Sequence, residues 1–211
     1  MSNYRNNAIF AGVMFLLAMA SSLVGGTLIQ DVIGKPDFMG GLLEHRMVII
    51  AGVSLELLNA LAAVGIAAAF WPPLKRKSPA MTAGYLGLRV IEAAVCATAA
   101  FIPVVLIMLA GNGDEVSLAD MLCIVRDTIT TYAVPLFFGI GALVFYVMLY
   151  RSDLLPKYIS VWGFIAAIGI MAVMLVPVAA VTPVFGLPII VNEIYLGVYL
   201  IVKGFRKGAA E

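Results

Sequence analysis

Charge is what this sequence has least of. Only 12% of its 211 residues are Asp, Glu, Lys or Arg, while 63% are hydrophobic; a soluble domain carries about 25% charged residues. There is too little charge to coat a surface in water, so a soluble enzyme and a disordered chain are excluded. Histidine and cysteine are scarce as well. A single histidine, His45, excludes a multi-histidine metal or haem site. Cys96 and Cys123 show no C-x-x-C spacing and make neither a thiol metal site nor a disulfide framework. The chain has no Gly-rich phosphate loop, no H-E-x-x-H and no Asp-rich metal motif. No metal and no cofactor is therefore expected, and a magnesium-dependent prenyltransferase, which needs paired acidic motifs, is disfavoured. A net charge of +1 without a dense basic patch excludes nucleic acid as a partner.

What is present is long apolar runs, with a mean hydropathy of +1.07. A bilayer-spanning helix needs about 20 apolar residues, and the runs at 8–29, 47–71, 81–110, 131–150, 157–181 and 188–205 meet that length. The two-residue alternation of a membrane β-barrel is absent. The expectation is an all-α, polytopic transmembrane helical bundle, a single integral membrane domain over residues 1–211 with six spans. The first run has a basic start and an Ala18-Met19-Ala20 triplet like those of signal peptides. Its apolar character continues to Ile29, so it is read as a retained span.

Pro72-Pro73 is expected to stop the second span, followed by the basic loop Lys75-Arg76-Lys77. Gly111 to Glu115 is expected to end the third. The stretch from Ser117 to Tyr150 is too long for one perpendicular crossing and contains Pro135. It is read as a polar, interfacial lead-in helix to about Thr131, then the span. Thr182-Pro183 and Gly186-Leu187-Pro188 are read as an uncharged turn before the last span, and Pro177 falls near the end of the fifth.

Lysine and arginine in short loops set orientation. Arg5, Lys75, Arg76, Lys77, Arg151, Lys157, Lys203, Arg206 and Lys207 fall on one side. Lys35 and Arg46 fall on the other, with Arg126 at the boundary. Both termini are thus predicted cytoplasmic, in a bacterial inner membrane.

The few polar residues left inside the spans are the candidate site. An ionisable residue at the bilayer centre costs about 2.5–3.5 kcal/mol and should face the bundle interior. Tyr85, Arg89, Glu92 and Cys96 form one stripe on the third span, and Arg89 and Glu92 are i,i+3 neighbours able to pair. Gly52, Glu56 and Asn59 form a stripe on the second. On the last span Asn192, Tyr195 and Tyr199 share a face, with Glu193 about 100° away beside Gly197. Glu56, Glu92 and Glu193 outnumber the one well-buried cation, Arg89, unless Arg126 or Arg46 reaches in. A carboxyl group with no cation in low dielectric is best held protonated, and can then act as proton carrier or general acid. Arg126 and Asp127 are read as a solvated helix face. Cys96 and Cys123 are read as packing, and Trp71, Tyr150 and Trp162 as interfacial anchors. The bland alternative for every stripe is hydrogen-bonded glue between helices.

Arg46, Arg89-x-x-Glu92, Phe137-Phe138-Gly139, Tyr150-Arg151-Ser152 with Leu155-Pro156, and Glu193 with Lys203-Gly204 occur in an order and spacing that resembles the bacterial domain-of-unknown-function family numbered 4386. The resemblance runs over nearly the whole chain. Many members carry a histidine where this chain has Gly141, so no role tied to that histidine transfers. The resemblance implies a helical membrane fold and no activity.

Three functions fit these residues. The favoured one is binding, and acid-initiated conversion, of a lipophilic small molecule such as an isoprenoid, quinone or lipid. Glu56, Glu92 and Arg89 would be catalytic, with Asn59, Tyr85, Asn192, Glu193, Tyr195 and Tyr199 lining the pocket. The second is a small proton-coupled transporter using the same carboxylates, although no internal repeat is visible. The third is a non-enzymatic accessory subunit. Membrane lipids are partners in all three.

Overall fold

The computed structural model describes residues 4–112, 116–175 and 182–206, and every regular element in it is helical. They are α1 (Arg5–Ile33), the short α2 (Phe38–Gly41), α3 (Arg46–Lys75), α4 (Pro79–Asn112), α5 (Val116–Thr128), a π-helical turn (Ile129–Ala133), α6 (Val134–Ser152), α7 (Lys157–Leu175) and α8 (Thr182–Val202). Among the described residues, five helical stretches are long and apolar enough to cross a membrane. The expected Asp114-Glu115 loop, Pro177 and Lys207 lie outside the described residues.

Prolines explain where the helix bounds depart from the sequence reading. Pro72-Pro73 does not end α3, which runs on to Lys75. Pro73 cannot donate to the Ala69 carbonyl. That acceptor is taken instead by the Asn7 side chain of α1, at 3.3 Å. The turn expected at 182–188 is helical, so α8 begins six residues early, with Pro183 in its first turn, where no donor is needed. The lead-in helix and the span after it form one uninterrupted stretch, Val116–Ser152. Within it the Val134 N–H reaches back five residues to the Ile129 carbonyl. Pro135, the second residue of α6, has no N–H to donate, and the wider turn directly before it accommodates the missing bond.

The main helices pack as a ring: α1 on α3, α3 on α4, α4 on α6, α6 on α7, α7 on α8, and α8 back on α1. Two ring contacts bring one backbone close enough to another to need glycine. A Cβ on Gly12 would lie 2.5 Å from the Gly197 carbonyl oxygen of α8, and one on Gly25 would lie 2.9 Å from the Gly52 carbonyl oxygen of α3. These backbone approaches are what small residues permit in lipid, where packing rather than water drives helix association.

The interior has two apolar layers. Phe15, Phe70, Tyr85, Phe145 and Tyr146 interlock toward one end, with Tyr85 stacked on Phe145 at a centroid distance of 5.0 Å. Ile29, Ile49, Val53, Ala100, Leu106 and Ala119 fill the other. The surface is apolar where a soluble protein is polar: Leu61, Met108, Ile124 and Ile165 are all exposed. Arg89, Glu92, Arg126 and Asn192 are buried. This inversion fits lipid as the surrounding solvent.

Hydrogen bonds tie several cationic segments together at one end. The Arg5 guanidinium donates to the Ile201 carbonyl at 2.7 Å and Lys77 Nζ to the Ser152 carbonyl at 2.6 Å. The Arg206 N–H donates to the Leu154 carbonyl at 2.9 Å. Gly204, with φ +73°, makes the left-handed turn that ends α8 against Arg5.

Candidate functional site

The polar residues collect between the two apolar layers. Arg89 on α4 donates to Glu92 Oε2 at 2.9 Å, as the i,i+3 spacing requires. Its Nε donates to the Ala63 carbonyl of α3 at 3.3 Å, and its guanidinium stands 5.8 Å from the Phe138 ring centroid of α6. Arg89 therefore touches three helices. Both members of the pair are 5% exposed, so the charges are sealed inside the bundle.

A second buried pair corrects the sequence reading. Arg126 is not on a solvated face. It is 4% exposed and donates to Glu56 Oε1 of α3 at 2.6 Å, while Asp127 beside it is exposed as expected. The reason is the economy of charge noted above. Glu56 has no cation on its own helix, and an unpaired carboxylate inside is costlier than drawing in a guanidinium from α5. The Arg126 Nε remains without a hydrogen-bond partner among the described residues.

Glu193 on α8 is different. It is half-buried, lies within electrostatic reach of Arg89, Glu92, Tyr85 and Tyr146, and makes no hydrogen bond or ion pair with the described residues. Asn59, half-buried on α3, likewise has no hydrogen bond among them. Cys96 sits within reach of Glu92, Arg89 and Glu56, so it lies between the two ion pairs. Glu193, Arg89, Glu92, Cys96, Glu56 and Arg126 thus form a polar lane from α8 through α4 to α3 and α5.

The remaining predicted residues divide. Tyr85 is buried on the cationic side of the lane, stacked on Phe145. Asn192 is fully buried, accepting from the Tyr146 hydroxyl at 2.7 Å and donating to the Ile159 carbonyl at 3.3 Å. Tyr195 does not enter the interior. It is exposed, and its hydroxyl is 2.6 Å from that of Tyr158. Tyr199 is half-buried and stacks loosely against Tyr195. The shared face of α8 is therefore split, because Asn192 turns to α6 and α7 and Tyr199 packs against the apolar core while Tyr195 lies on the outer surface.

Sequence reasoning missed Tyr146 and Gly163. A Cβ on Gly163 would overlap the Tyr146 ring, so this glycine on α7 makes room for the residue that holds Asn192. The signal was a phenol in an apolar run, which needs a partner when buried. The partner lies 46 residues away and leaves no trace in local spacing.

A ring of apolar helices around a buried ionic lane defines a multi-pass helical membrane protein. The chain belongs to the family described as Domain of unknown function (DUF4386), whose model matches residues 10–204. No curated protein and no solved structure matches it.

Proposed function

We propose that the polar lane is a binding site for a lipophilic small molecule with a polar head, such as an isoprenoid, quinone or lipid-like compound. Glu193 carries this reading. Arg89–Glu92 and Arg126–Glu56 are already paired, so they alone would be sufficient as glue. Glu193 has no such partner among the described residues, yet it stands in an apolar span within electrostatic reach of the Arg89 guanidinium. A polar group left unpaired in hydrocarbon costs several kcal/mol by order of magnitude. An oxygen-bearing head group placed between Glu193, Arg89 and Asn59 removes that cost, and its apolar remainder suits the surrounding helices. In this reading Arg89 orients the head, Tyr85 and Asn192 shape the pocket, and Glu193, which has no ion pair among the described residues, is the acid for conversion of the bound molecule.

The architecture proposed with it is six spans in a bacterial inner membrane, both termini cytoplasmic. The 19 described residues of α7 supply the sixth crossing, at about 28 Å for a 1.5 Å rise. The tied cationic segments at Arg5, Lys77 and Arg206 support one cytoplasmic end.

The test is ligand retention. Purified wild type is extracted and its non-phospholipid small molecules identified, then compared with Glu193→Gln and Arg89→Met. Loss of one compound from variants that remain folded supports the site; wild type carrying only bulk membrane lipids in repeated preparations overturns it. The continuity of the lane favours a second reading, a proton-coupled carrier, for which a proton flux in liposomes would vanish in Glu56→Gln.

A further inference from the structure

A second feature lies outside the lane. Between α6 and α7 is a groove of about 210 Å³, lined by Tyr146, Val147, Tyr150, Arg151, Ser160, Val161 and Phe164. Its contents are graded along the helices. Tyr150 and Arg151 come from the last turn of α6, at the hairpin, and Ser160 and Val161 from the end of the first turn of α7, slightly deeper. Val147 and Phe164 come from one turn deeper. The mouth is thus cationic and phenolic, and the depth is apolar.

Two observations say what such a groove takes. Arg151 is exposed and has no ion pair or hydrogen bond among the described residues. The neighbouring anion, Asp153, is already 3.6 Å from Lys157 Nζ, and that ammonium also stands 5.0 Å from the Tyr150 ring centroid. Cationic charge is therefore in excess at the mouth. Further in, Ser160 is 1% exposed, lines the groove, and has a hydroxyl without a partner among the described residues. A buried hydroxyl in lipid calls for an acceptor.

We propose that this groove seats an anionic phospholipid. The phosphate rests on Arg151 and the amide end of α7, Ser160 donates to an ester carbonyl, and one acyl chain runs along Val147, Val161 and Phe164. The order of contacts, charge then hydroxyl then hydrocarbon, is the order of groups in a phospholipid. The volume agrees: a drug-sized ligand needs roughly 300–1,000 Å³, whereas here only the upper part of one chain must fit and the rest lies in the bilayer. A juxtamembrane cation contributes about a fivefold preference for an anionic head. This inference is independent of the ligand proposed for the polar lane.

The experiment is lipid binding to the full chain in detergent, read by native mass spectrometry, with phosphatidylglycerol and phosphatidylcholine of identical chains. Phosphatidylglycerol is expected to bind about fivefold or more tightly. The preference disappears in Arg151→Gln and persists in Arg151→Lys and in Lys203→Gln, a cation that does not line the groove. Filling the groove with Val161→Trp, an exposed position whose folding is checked by circular dichroism, removes the bound lipid. Equal affinity for the two lipids overturns the proposal, as does an equal loss in Lys203→Gln, which would indicate diffuse surface charge. Displacement of the lipid by millimolar inorganic phosphate, or full retention in Val161→Trp, overturns it as well.

Discussion

Replacing Arg89 with methionine separates the two kinds of energy held in the polar lane. The change removes the partner of Glu92, which is 5% exposed and bonded to Arg89 at 2.9 Å. It also removes the donor to the Ala63 carbonyl and the cation beside Phe138. Breaking a buried pair costs about 3–5 kcal/mol, most of it the penalty of the charge left behind. If that is the origin, neutralising Glu92 as well must restore stability. Arg89→Met is therefore expected to lose about 3–5 kcal/mol, and Arg89→Met with Glu92→Gln to recover more than half of it. The assay is a double-mutant cycle on unfolding free energy, measured by titrating mixed micelles with denaturing detergent. The expected coupling of about 2 kcal/mol or more far exceeds the average of about 0.6 kcal/mol for hydrogen bonds between membrane helices. Effects that add within about 0.5 kcal/mol would refute the reasoning, because Glu92 would then be indifferent to its cation.

Arg126→Gln is expected to destabilise by less than the ~3–5 kcal/mol of a fully buried pair, because the Glu56 side chain stays 16% exposed. Adding Glu56→Gln restores the loss in the same assay, and no restoration would return Arg126 to the surface. Tyr146→Phe leaves the Asn192 Oδ1 without its donor and should cost about 1–3 kcal/mol, seen as a lower melting temperature in detergent. Gly25→Leu pushes a side chain into the Gly52 backbone and Leu55. It should cost about 1–3 kcal/mol or more by overpacking, while the same change at Gly26, which faces open space, is tolerated.

The existence of the helices was legible because lipid imposes a simple rule: long apolar runs and charge kept at the ends. The stripe Tyr85, Arg89, Glu92, Cys96 was legible for the same reason, as all its members share one helix and local spacing fixes their face. What escaped depends on contacts between helices. Arg126 looks like a boundary residue until α5 is laid against α3, and only the carboxylate surplus pointed to its being drawn in. Tyr146 and Gly163 are ordinary members of apolar runs until α6 meets α7. The proline misreadings have a related cause: a proline predicts a lost donor, while the acceptor it frees can be satisfied by a side chain such as Asn7 on another helix. Tyr195 shows the limit of a helical wheel, since α8 shares its polar face between the interior and the outer surface.

The central claim is that Glu193 stands beside a bound molecule and is not an idle carboxylate. The direct measurement is the mass of the intact protein released gently from its micelle, for wild type and Glu193→Gln side by side. The account predicts a wild-type population carrying a single adduct whose mass is not that of any bulk phospholipid, and its absence from a folded Glu193→Gln. The same set of bound masses in both proteins would contradict it.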